Sequence, residues 1–245
     1  MTLPTFLVIG AMKAGTTSLF EYLRGHPDVF MPPEKELCYF CGRLAGDRDL
    51  TWYERQFDDA AHAVAIGEAA PVYAWYPAFP GVPERATRLI SDVRVVYLVR
   101  DPVERIRSQY LHARARGSEA RGITRAVLET PDYIDVSRYG VQLRRWLDWV
   151  DESKVLVVPS EALREERSDT LADVLRFIGV DPTWRPDDLH VDHHRTCDRL
   201  QKDEPDVVMP APLVRYLEDV LAEDVAFISR WIGPWAARWG RPDGA

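Results

Sequence analysis

The sequence lacks the features of secreted, membrane-spanning and disulfide-stapled proteins. Its 245 residues include three cysteines, which are too few for a disulfide framework. No apolar run reaches the roughly 18 residues that a membrane-spanning helix needs. The segment Met1 to Gly10 has neither a basic start nor a small-residue cleavage site. We therefore expect a cytoplasmic protein with free thiols and no membrane span.

An excess of positive charge is also missing. The formal net charge is −8 and the isoelectric point is near 5.3. A protein that binds nucleic acid through the phosphate backbone needs a positive face. We therefore expect no nucleic-acid partner, although a local basic pocket is compatible with this overall charge.

Short apolar runs alternate with helical patterns along the chain. The runs that predict buried strands are Thr5 to Ile9, Ala63 to Ala69, Arg94 to Val99 and Lys154 to Pro159. The patterns that predict helices are Thr16 to Arg24, about Val103 to Arg116, Tyr139 to Val150 and most of Pro212 to Trp239. This alternation predicts an α/β, P-loop-like three-layer fold with a central parallel sheet flanked by helices. We expect a single domain over residues 1–245.

The first glycine-rich turn predicts an anion site. Residues 10–18 read GAMKAGTTS and lie between the first predicted strand and the first predicted helix. Backbone N–H groups and the positive end of a helix converge at such a junction and bind oxyanions. The nucleotide-triphosphate loop G-x-x-x-x-G-K-[ST] has its two glycines here. However, Thr16 stands where that loop requires lysine, and Lys13 lies inside the glycine frame instead.

A metal-binding acid is missing from its usual place as well. The predicted strand RVVYLV is followed by Arg100, and the first acid is Asp101. A sulfuryl group carries less negative charge than a terminal phosphoryl group, so cationic side chains and amides can replace Mg²⁺. The pattern predicts sulfuryl transfer without a metal ion. The alternatives are a small-molecule kinase with a degenerate phosphate loop and a non-catalytic nucleotide-binding module.

Five segments of the chain resemble one enzyme family, and they occur in the family's order. They are FLVIGAMKAGTTSLFEYLRGHP (Phe6 to Pro27), KELCYF (Lys35 to Phe40), GEAAPVY (Gly67 to Tyr73), VVYLVRDPVERIRSQY (Val95 to Tyr110) and SRYGVQLRRW (Ser137 to Trp146). The family is that of sulfotransferases that depend on 3′-phosphoadenosine 5′-phosphosulfate (PAPS). The resemblance is greatest to the branch of heparan sulfate and Golgi carbohydrate enzymes and their bacterial relatives.

The resemblance implies that PAPS is the donor and adenosine 3′,5′-bisphosphate the product, and it indicates which residues bind the donor. The first loop is expected to hold the 5′-phosphosulfate through Lys13, Ala14, Gly15, Thr16, Thr17 and Ser18. Arg100 and Ser108, eight residues apart in R-[DN]-P-x-x-R-x-x-S-x-Y, are expected to hold the 3′-phosphate. Tyr139 is expected either near the nucleotide or at the start of a packed helix. Arg195 is the cationic candidate in a late basic loop.

The acceptor must lose a proton as it attacks sulfur, which calls for a base. Glu36 aligns with the glutamate that serves this role in the family's E-x-[HQ]-[FY]-F segment, although Cys38 replaces the His or Gln and Glu34 stands nearby. Glu68 is the second candidate, in a segment similar to E-x-[ST]-P-x-Y. There Ala69 replaces the lysine of some relatives.

The acceptor itself is expected to be a small molecule or a carbohydrate-like compound. The aromatic residues around the motifs are suited either to line its pocket or to pack in the core: Trp52, Tyr53, Tyr73, Trp75, Tyr76 and Phe79. The sequence leaves open whether a hydroxyl or an amine is sulfated. It also leaves open the oligomeric state.

Overall fold

The fold is built on five parallel strands, and the computed structural model describes residues 2–187, 189 and 207–240. The strands are β1 (Phe6–Gly10), β2 (Val29–Phe30), β3 (Ala65–Ala69), β4 (Arg94–Val99) and β5 (Val155–Pro159). They lie in the order β2-β3-β1-β4-β5. Since all are parallel, their carboxyl ends meet at one edge of the sheet.

Helices connect and cover the strands. The α-helices are α1 (Thr16–Gly25), α2 (Leu50–Arg55), α3 (Val82–Leu89), α4 (Pro102–Ala115), α5 (Ile123–Glu129), α6 (Asp132–Asp135), α7 (Tyr139–Leu147), α8 (Ser160–Glu165), α9 (Arg167–Ile178) and α10 (Ala211–Ile232). Short 3₁₀ helices cover Tyr39–Ala45, Asp58–Ala60, Pro71–Ala74, Glu152–Lys154 and Gly233–Arg238. Among the described residues, no helix is both long and apolar enough to cross a membrane.

Strand β1 lies at the centre of the sheet because it is apolar along its whole length. All five of its residues are buried. Phe6 pairs with Gly67 on β3 and with Arg94 on β4. A Cβ at Gly67 would lie 2.1 Å from the Phe6 ring, so only glycine allows this close packing.

The predicted fold class is confirmed. The predicted strands correspond to β1, β3, β4 and β5, and the predicted helices correspond to α1, α4, α7 and α10. Asp101 caps α4 by accepting hydrogen bonds from the backbone N–H groups of Val103 (2.8 Å) and Glu104 (3.0 Å). Pro102 occupies the first turn, as its fixed φ favours.

Candidate active site

The carboxyl edge of the sheet opens into a cleft with a volume of about 920 Å³. Most of the residues assigned from the sequence lie together on its surface: Lys13, Gly15, Thr16, Thr17, Ser18, Glu36, Arg100 and Ser108. Residues separated by up to 95 positions in the chain therefore face one space. Ala14, Glu68 and Tyr139 do not line it, and Arg195 lies outside the described residues.

The phosphate loop, residues 10–18, is shaped by close backbone packing. A Cβ at Gly10 would lie 3.1 Å from Ala74 Cβ and 3.2 Å from the Pro71 carbonyl oxygen, so glycine is required there. Lys13 (φ 70°) and Gly15 (φ 93°) both have left-handed backbone. This path brings Lys13 back to the cleft beside the first turn of α1.

The N-terminus of α1 faces the cleft without a side-chain cap. Gly15 is the N-cap residue and supplies no capping hydrogen bond. Thr16, Thr17 and Ser18 form the first turn and line the cleft. Uncapped N–H groups and the helix dipole favour an anion at this position.

Ala14 contributes to the loop in a different way from the one expected. Its side chain is fully buried, and its N–H donates to the Ala11 carbonyl oxygen at 3.1 Å. That amide is directed into the loop, which corrects the assignment of Ala14 to direct donor binding. Ala14 closes the turn that presents Lys13.

Lys35 brings a second ammonium group to the loop. Its Nζ donates to Thr17 Oγ1 at 3.2 Å and to Glu36 Oε1 at 3.0 Å. The side chain is only 18% exposed, so this contact is partly shielded from solvent. Sequence reasoning missed Lys35 because its contact with Thr17, 18 residues earlier in the chain, exists only in the folded protein. The one sequence feature that could have indicated Lys35 is its position immediately before the candidate base, Glu36.

Glu36 is held at the cleft by its backbone and by Lys35. Its side chain is 47% exposed, and its N–H donates to the Ala69 carbonyl oxygen at 3.1 Å. Its φ of 64° is unusual for a residue other than glycine. Its carboxylate therefore reaches the cleft from the end of β3, with Lys35 between it and the phosphate loop.

Glu68 lies behind this position and has no access to the cleft. It is fully buried and accepts hydrogen bonds from the hydroxyls of Tyr53 (2.6 Å) and Tyr73 (2.5 Å). Burial raises the pKa of its carboxyl to about 7, although the two tyrosine hydrogen bonds act in the opposite direction. An acid that does not reach the cleft cannot accept a proton there. The expectation that Glu68 is an alternative base is corrected accordingly.

Arg100 and Ser108 lie together on the other side of the phosphate loop. Arg100 follows the last residue of β4, and Ser108 lies two turns into α4. Glu104 lies between them on the helix and forms ion pairs with Arg100 at 3.6 Å and with Arg107 at 3.5 Å. Both predicted 3′-phosphate contacts therefore face the cleft within a charged cluster.

Tyr139 supports Arg100 from behind. It is fully buried, and its hydroxyl donates to the Arg100 carbonyl oxygen at 2.8 Å. Burial raises the pKa of this phenol above its ordinary value. Of the two expected placements, the structure has the packed one: Tyr139 is the first residue of α7 and its hydroxyl fixes the backbone of Arg100.

Two walls face each other across the phosphate loop. The β3 wall consists of Lys35, Glu36, Pro71, Val72 and Trp75, and the arginine wall consists of Arg100, Arg107, Ser108, Arg116, Arg164 and Arg167. Sequence reasoning missed the other four arginines of this wall, Arg107, Arg116, Arg164 and Arg167. Those from α8 and α9 are distant in sequence from the motifs, so only the fold brings them to the cleft.

The arginine wall also contacts the residues that flank the segment containing Arg195. Arg167 Nη1 donates to the Leu189 carbonyl oxygen at 2.7 Å. Arg107 Nε donates to the Val207 carbonyl oxygen at 2.8 Å. Two arginines of one wall therefore bind the chain on both sides of residues 190–206.

Within residues 2–187, 189 and 207–240, no group of three or more His, Cys, Asp and Glu side chains is arranged to hold a metal ion. Cys38 and Cys41 are buried free thiols, as expected. The chemical groups that the cleft does provide are ammonium, guanidinium, hydroxyl and carboxylate. These suit a polyanionic ligand and one proton transfer.

A parallel sheet with a glycine-rich loop, a lysine and arginines around one cleft defines a phosphate-loop α/β protein. The profile of the sulfotransferase domain matches residues 3–206. The chain belongs to this family.

Known proteins are similar to different extents. A bifunctional heparan sulfate N-deacetylase/N-sulfotransferase 4 of Mus musculus is 28% identical over 203 residues, which is 74% of this chain and 23% of that protein. The chain thus spans about a quarter of this relative's length. A sulfotransferase structure from Alicyclobacillus acidocaldarius has a TM-score of 0.83 and 26% identity, covering 98% of this chain and 100% of that one.

A more distant structure shares the fold. Mouse sulfotransferase SULT7A1 complexed with PAP has a TM-score of 0.57 and 11% identity, covering 95% of this chain and 88% of that one.

Proposed function

We propose that this protein transfers a sulfuryl group from PAPS to a hydroxyl or an amine of a small-molecule or carbohydrate-like acceptor. The observation that carries the proposal is the shared cleft: the phosphate loop lies between an acid, Glu36, and a cation–hydroxyl pair, Arg100 and Ser108. A donor with two anionic groups and an acceptor with one exchangeable proton match these positions. The fold is also that of a mouse sulfotransferase whose structure contains PAP.

The donor's two anionic groups have separate binding positions. We assign the 5′-phosphosulfate to the phosphate loop, where Lys13 and the first turn of α1 line the cleft. We assign the 3′-phosphate to Arg100 and Ser108, because a guanidinium and a hydroxyl together provide charge and directed hydrogen bonds. The adenosine then extends along the arginine wall.

Transfer proceeds in line at sulfur. The acceptor oxygen or nitrogen attacks sulfur while its proton passes to the Glu36 carboxylate, and the bond from sulfur to the bridging phosphate oxygen breaks. The bond electrons remain on that oxygen, so the leaving phosphate gains negative charge beside Lys13. The products are the sulfated acceptor, adenosine 3′,5′-bisphosphate and protonated Glu36.

Lys35 couples the two ends of this reaction. It contacts the phosphate loop through Thr17 and the carboxylate of Glu36 at the same time. It therefore fixes the carboxylate near the sulfonate and adds positive charge where the attacked group develops negative charge. Lys13 and Lys35 supply the stabilisation for which kinases use Mg²⁺, so we propose that transfer needs no metal ion.

The acceptor is placed against the β3 wall. Pro71, Val72 and Trp75 form an apolar strip on the 3₁₀ helix after β3 and on the residue that follows it. The close packing of Pro71 and Ala74 on Gly10 brings this strip beside the phosphate loop. Such a surface suits a sugar ring or a flat apolar skeleton that presents one hydroxyl or amine to Glu36.

The alternative of a small-molecule kinase is disfavoured by two positions. Thr16 stands where a triphosphate loop has its lysine, and Arg100 stands at the end of β4 where an acid would hold Mg²⁺. Calorimetry with adenosine 3′,5′-bisphosphate in EDTA and with ATP in the presence of Mg²⁺ separates the two functions. We expect binding of the bisphosphate and none of ATP. Binding of ATP with Mg²⁺ and no binding of the bisphosphate would contradict the proposal.

A further inference from the structure

Glu68 is the one fully buried acid among the described residues, and the transfer reaction does not use it. Its two oxygens accept separate hydrogen bonds, from Tyr53 at 2.6 Å and from Tyr73 at 2.5 Å. Removing a carboxyl from water is costly unless its oxygens are paired. Glu68 and Tyr73 are the first and last residues of the segment EAAPVY. The hydrogen bond between them explains why the segment has a glutamate and a tyrosine five residues apart.

The two tyrosines hold the aromatic residues that follow Glu36. The ring of Tyr53 stacks on Tyr39, with centroids 4.2 Å apart, and meets Phe40 edge to face at 5.3 Å. The ring of Tyr73 meets Phe40 at 5.5 Å. The Phe40 ring therefore packs between two tyrosines whose hydroxyls both donate to one carboxyl group, and the Tyr39 ring stacks on one of these tyrosines.

The segment before Tyr39 needs such support. Glu36 and Cys38 both have left-handed backbone, with φ of 64° and 56°, which is unfavourable for residues with a side chain. The Glu36 N–H donates to Ala69, the neighbour of Glu68 on β3. Arg48 Nη1 donates to the Leu37 carbonyl oxygen at 2.6 Å. The turn that carries the base is thus tied to the strand and to the aromatic cluster on either side.

We propose that Glu68 is a positioning residue for Glu36. Through the hydroxyls of Tyr53 and Tyr73 it fixes the Tyr39 and Phe40 rings, and these hold the strained turn that presents the Glu36 carboxylate to the cleft. The inference rests on the proposed function in one respect, which is that Glu36 accepts the acceptor's proton.

A double-mutant cycle tests the coupling. Glu68→Gln keeps the shape of the side chain but removes the carboxylate that accepts both hydroxyls, and Glu36→Gln removes the base. We expect Glu68→Gln to lower kcat about ten-fold or more, since small misplacement of a reacting group has large effects. In the Glu36→Gln background the same change should lower kcat less than about two-fold. Affinity for adenosine 3′,5′-bisphosphate should stay unchanged.

A second readout does not depend on catalysis. Hydrogen exchange at residues 36–41 should become faster in Glu68→Gln, while exchange in α1 stays the same. If that variant does not fold, Tyr73→Phe removes one of the two hydrogen bonds and should show the same pattern more weakly. Tyr110→Phe is the matched control, because it removes another tyrosine hydroxyl, which donates to the Arg121 carbonyl oxygen at 2.9 Å. It should leave kcat and the exchange of residues 36–41 as they are.

The outcomes are distinguishable. Equal losses of kcat in both backgrounds, or unchanged exchange at residues 36–41, would overturn the positioning role of Glu68. A protein that shows the exchange effect but no sulfuryl transfer with PAPS contradicts the proposed function and leaves the structural link between Glu68 and the Glu36 turn supported.

Discussion

The two walls of the cleft differ in how their charge is arranged. The β3 wall has one close ammonium–carboxylate pair, Lys35 and Glu36, beside an apolar strip. The arginine wall has five guanidinium groups, and two of them, Arg100 and Arg107, form ion pairs with the acid Glu104. Under the proposed function, the donor's 3′-phosphate binds at the arginine wall and the acceptor's proton passes to the β3 wall. Binding of the donor and activation of the acceptor should be separable by mutation.

Two fully buried ionisable side chains of opposite charge lie on the elements next to the two walls. Glu68 lies on β3, and Arg105 lies on α4, where it donates to Ser137 Oγ at 2.5 Å and to Gln109 Oε1 at 2.8 Å. Burial raises the pKa of Glu68 to about 7 and lowers that of Arg105 to about 10. Near neutral pH only Glu68 changes its charge. The two halves of the site should therefore respond differently to pH.

The largest expected effect is on the β3 wall. Glu36→Gln should lower kcat by about 10² or more, because it removes the general base, and should leave bisphosphate affinity within about two-fold. The measurement is steady-state kinetics together with calorimetry. Glu34→Gln is the matched control, since this exposed acid pairs with Arg48 and does not line the cleft. An equal loss of kcat in Glu36→Gln and Glu34→Gln would contradict the assignment of Glu36 as the base.

The arginine wall should show the reverse pattern. Arg100→Ala should weaken binding of adenosine 3′,5′-bisphosphate about 10- to 100-fold, the usual effect of losing a charge-assisted hydrogen bond. Binding of adenosine 5′-phosphate, which lacks the 3′-phosphate, should change much less. Arg88→Ala is the control, because Arg88 is an exposed residue of α3 outside the cleft. If both nucleotides lose affinity equally, the 3′-phosphate does not bind at Arg100.

The raised pKa of Glu68 should make the stability of the folded protein depend on pH. Its pKa is raised from 4.5 to about 7 in the folded protein, so the folded state holds a proton that the unfolded state releases. Glu68 therefore contributes at most about 3 kcal/mol to the free energy of unfolding, and this contribution is lost as the pH rises from about 4.5 to about 7. Chemical denaturation of wild type and Glu68→Gln at several pH values should show this difference shrinking over that window. A difference independent of pH would contradict it.

The smallest expected effect concerns Tyr139. Tyr139→Phe removes the hydroxyl that holds the Arg100 carbonyl oxygen, which is worth about 1 kcal/mol for a neutral hydrogen bond. Bisphosphate affinity should fall several-fold with kcat unchanged. Calorimetry and kinetics on the same preparation measure both. If kcat fell while bisphosphate affinity stayed unchanged, Tyr139 would act in the activation of the acceptor and not in donor binding.

The central strands could be predicted from the sequence, while several peripheral elements could not. Strands β1 and β4 are continuous apolar runs because both of their faces are covered. Strand β2 has two residues, too few for any periodicity to register. Helix α2 has six residues and one buried side chain, Tyr53, so its pattern is equally weak. These short elements are set by tertiary packing and not by local sequence preference.

Within the site, local motifs were readable and long-range support was not. The phosphate loop and Arg100 each follow a predicted strand, where ligands of parallel sheets bind, and Glu36 lies in a segment that resembles the family motif. The burial of Glu68 depends on Tyr53, a residue of α2 that no motif connects to it. The Tyr139 hydroxyl donates to the Arg100 carbonyl oxygen. Every residue has such a carbonyl, so the sequence does not indicate this partner. Both placements therefore arise from contacts that only the fold creates.

The measurement that tests the central claim most directly is a mass-spectrometric screen of small hydroxyl- and amine-bearing acceptors with two donors. One arm contains PAPS in EDTA, and the other contains ATP with Mg²⁺. We predict a sulfated product and adenosine 3′,5′-bisphosphate in the first arm, absent when Glu36→Gln replaces the wild type, and no product in the second. A phosphorylated product from ATP, with none from PAPS, would contradict the account.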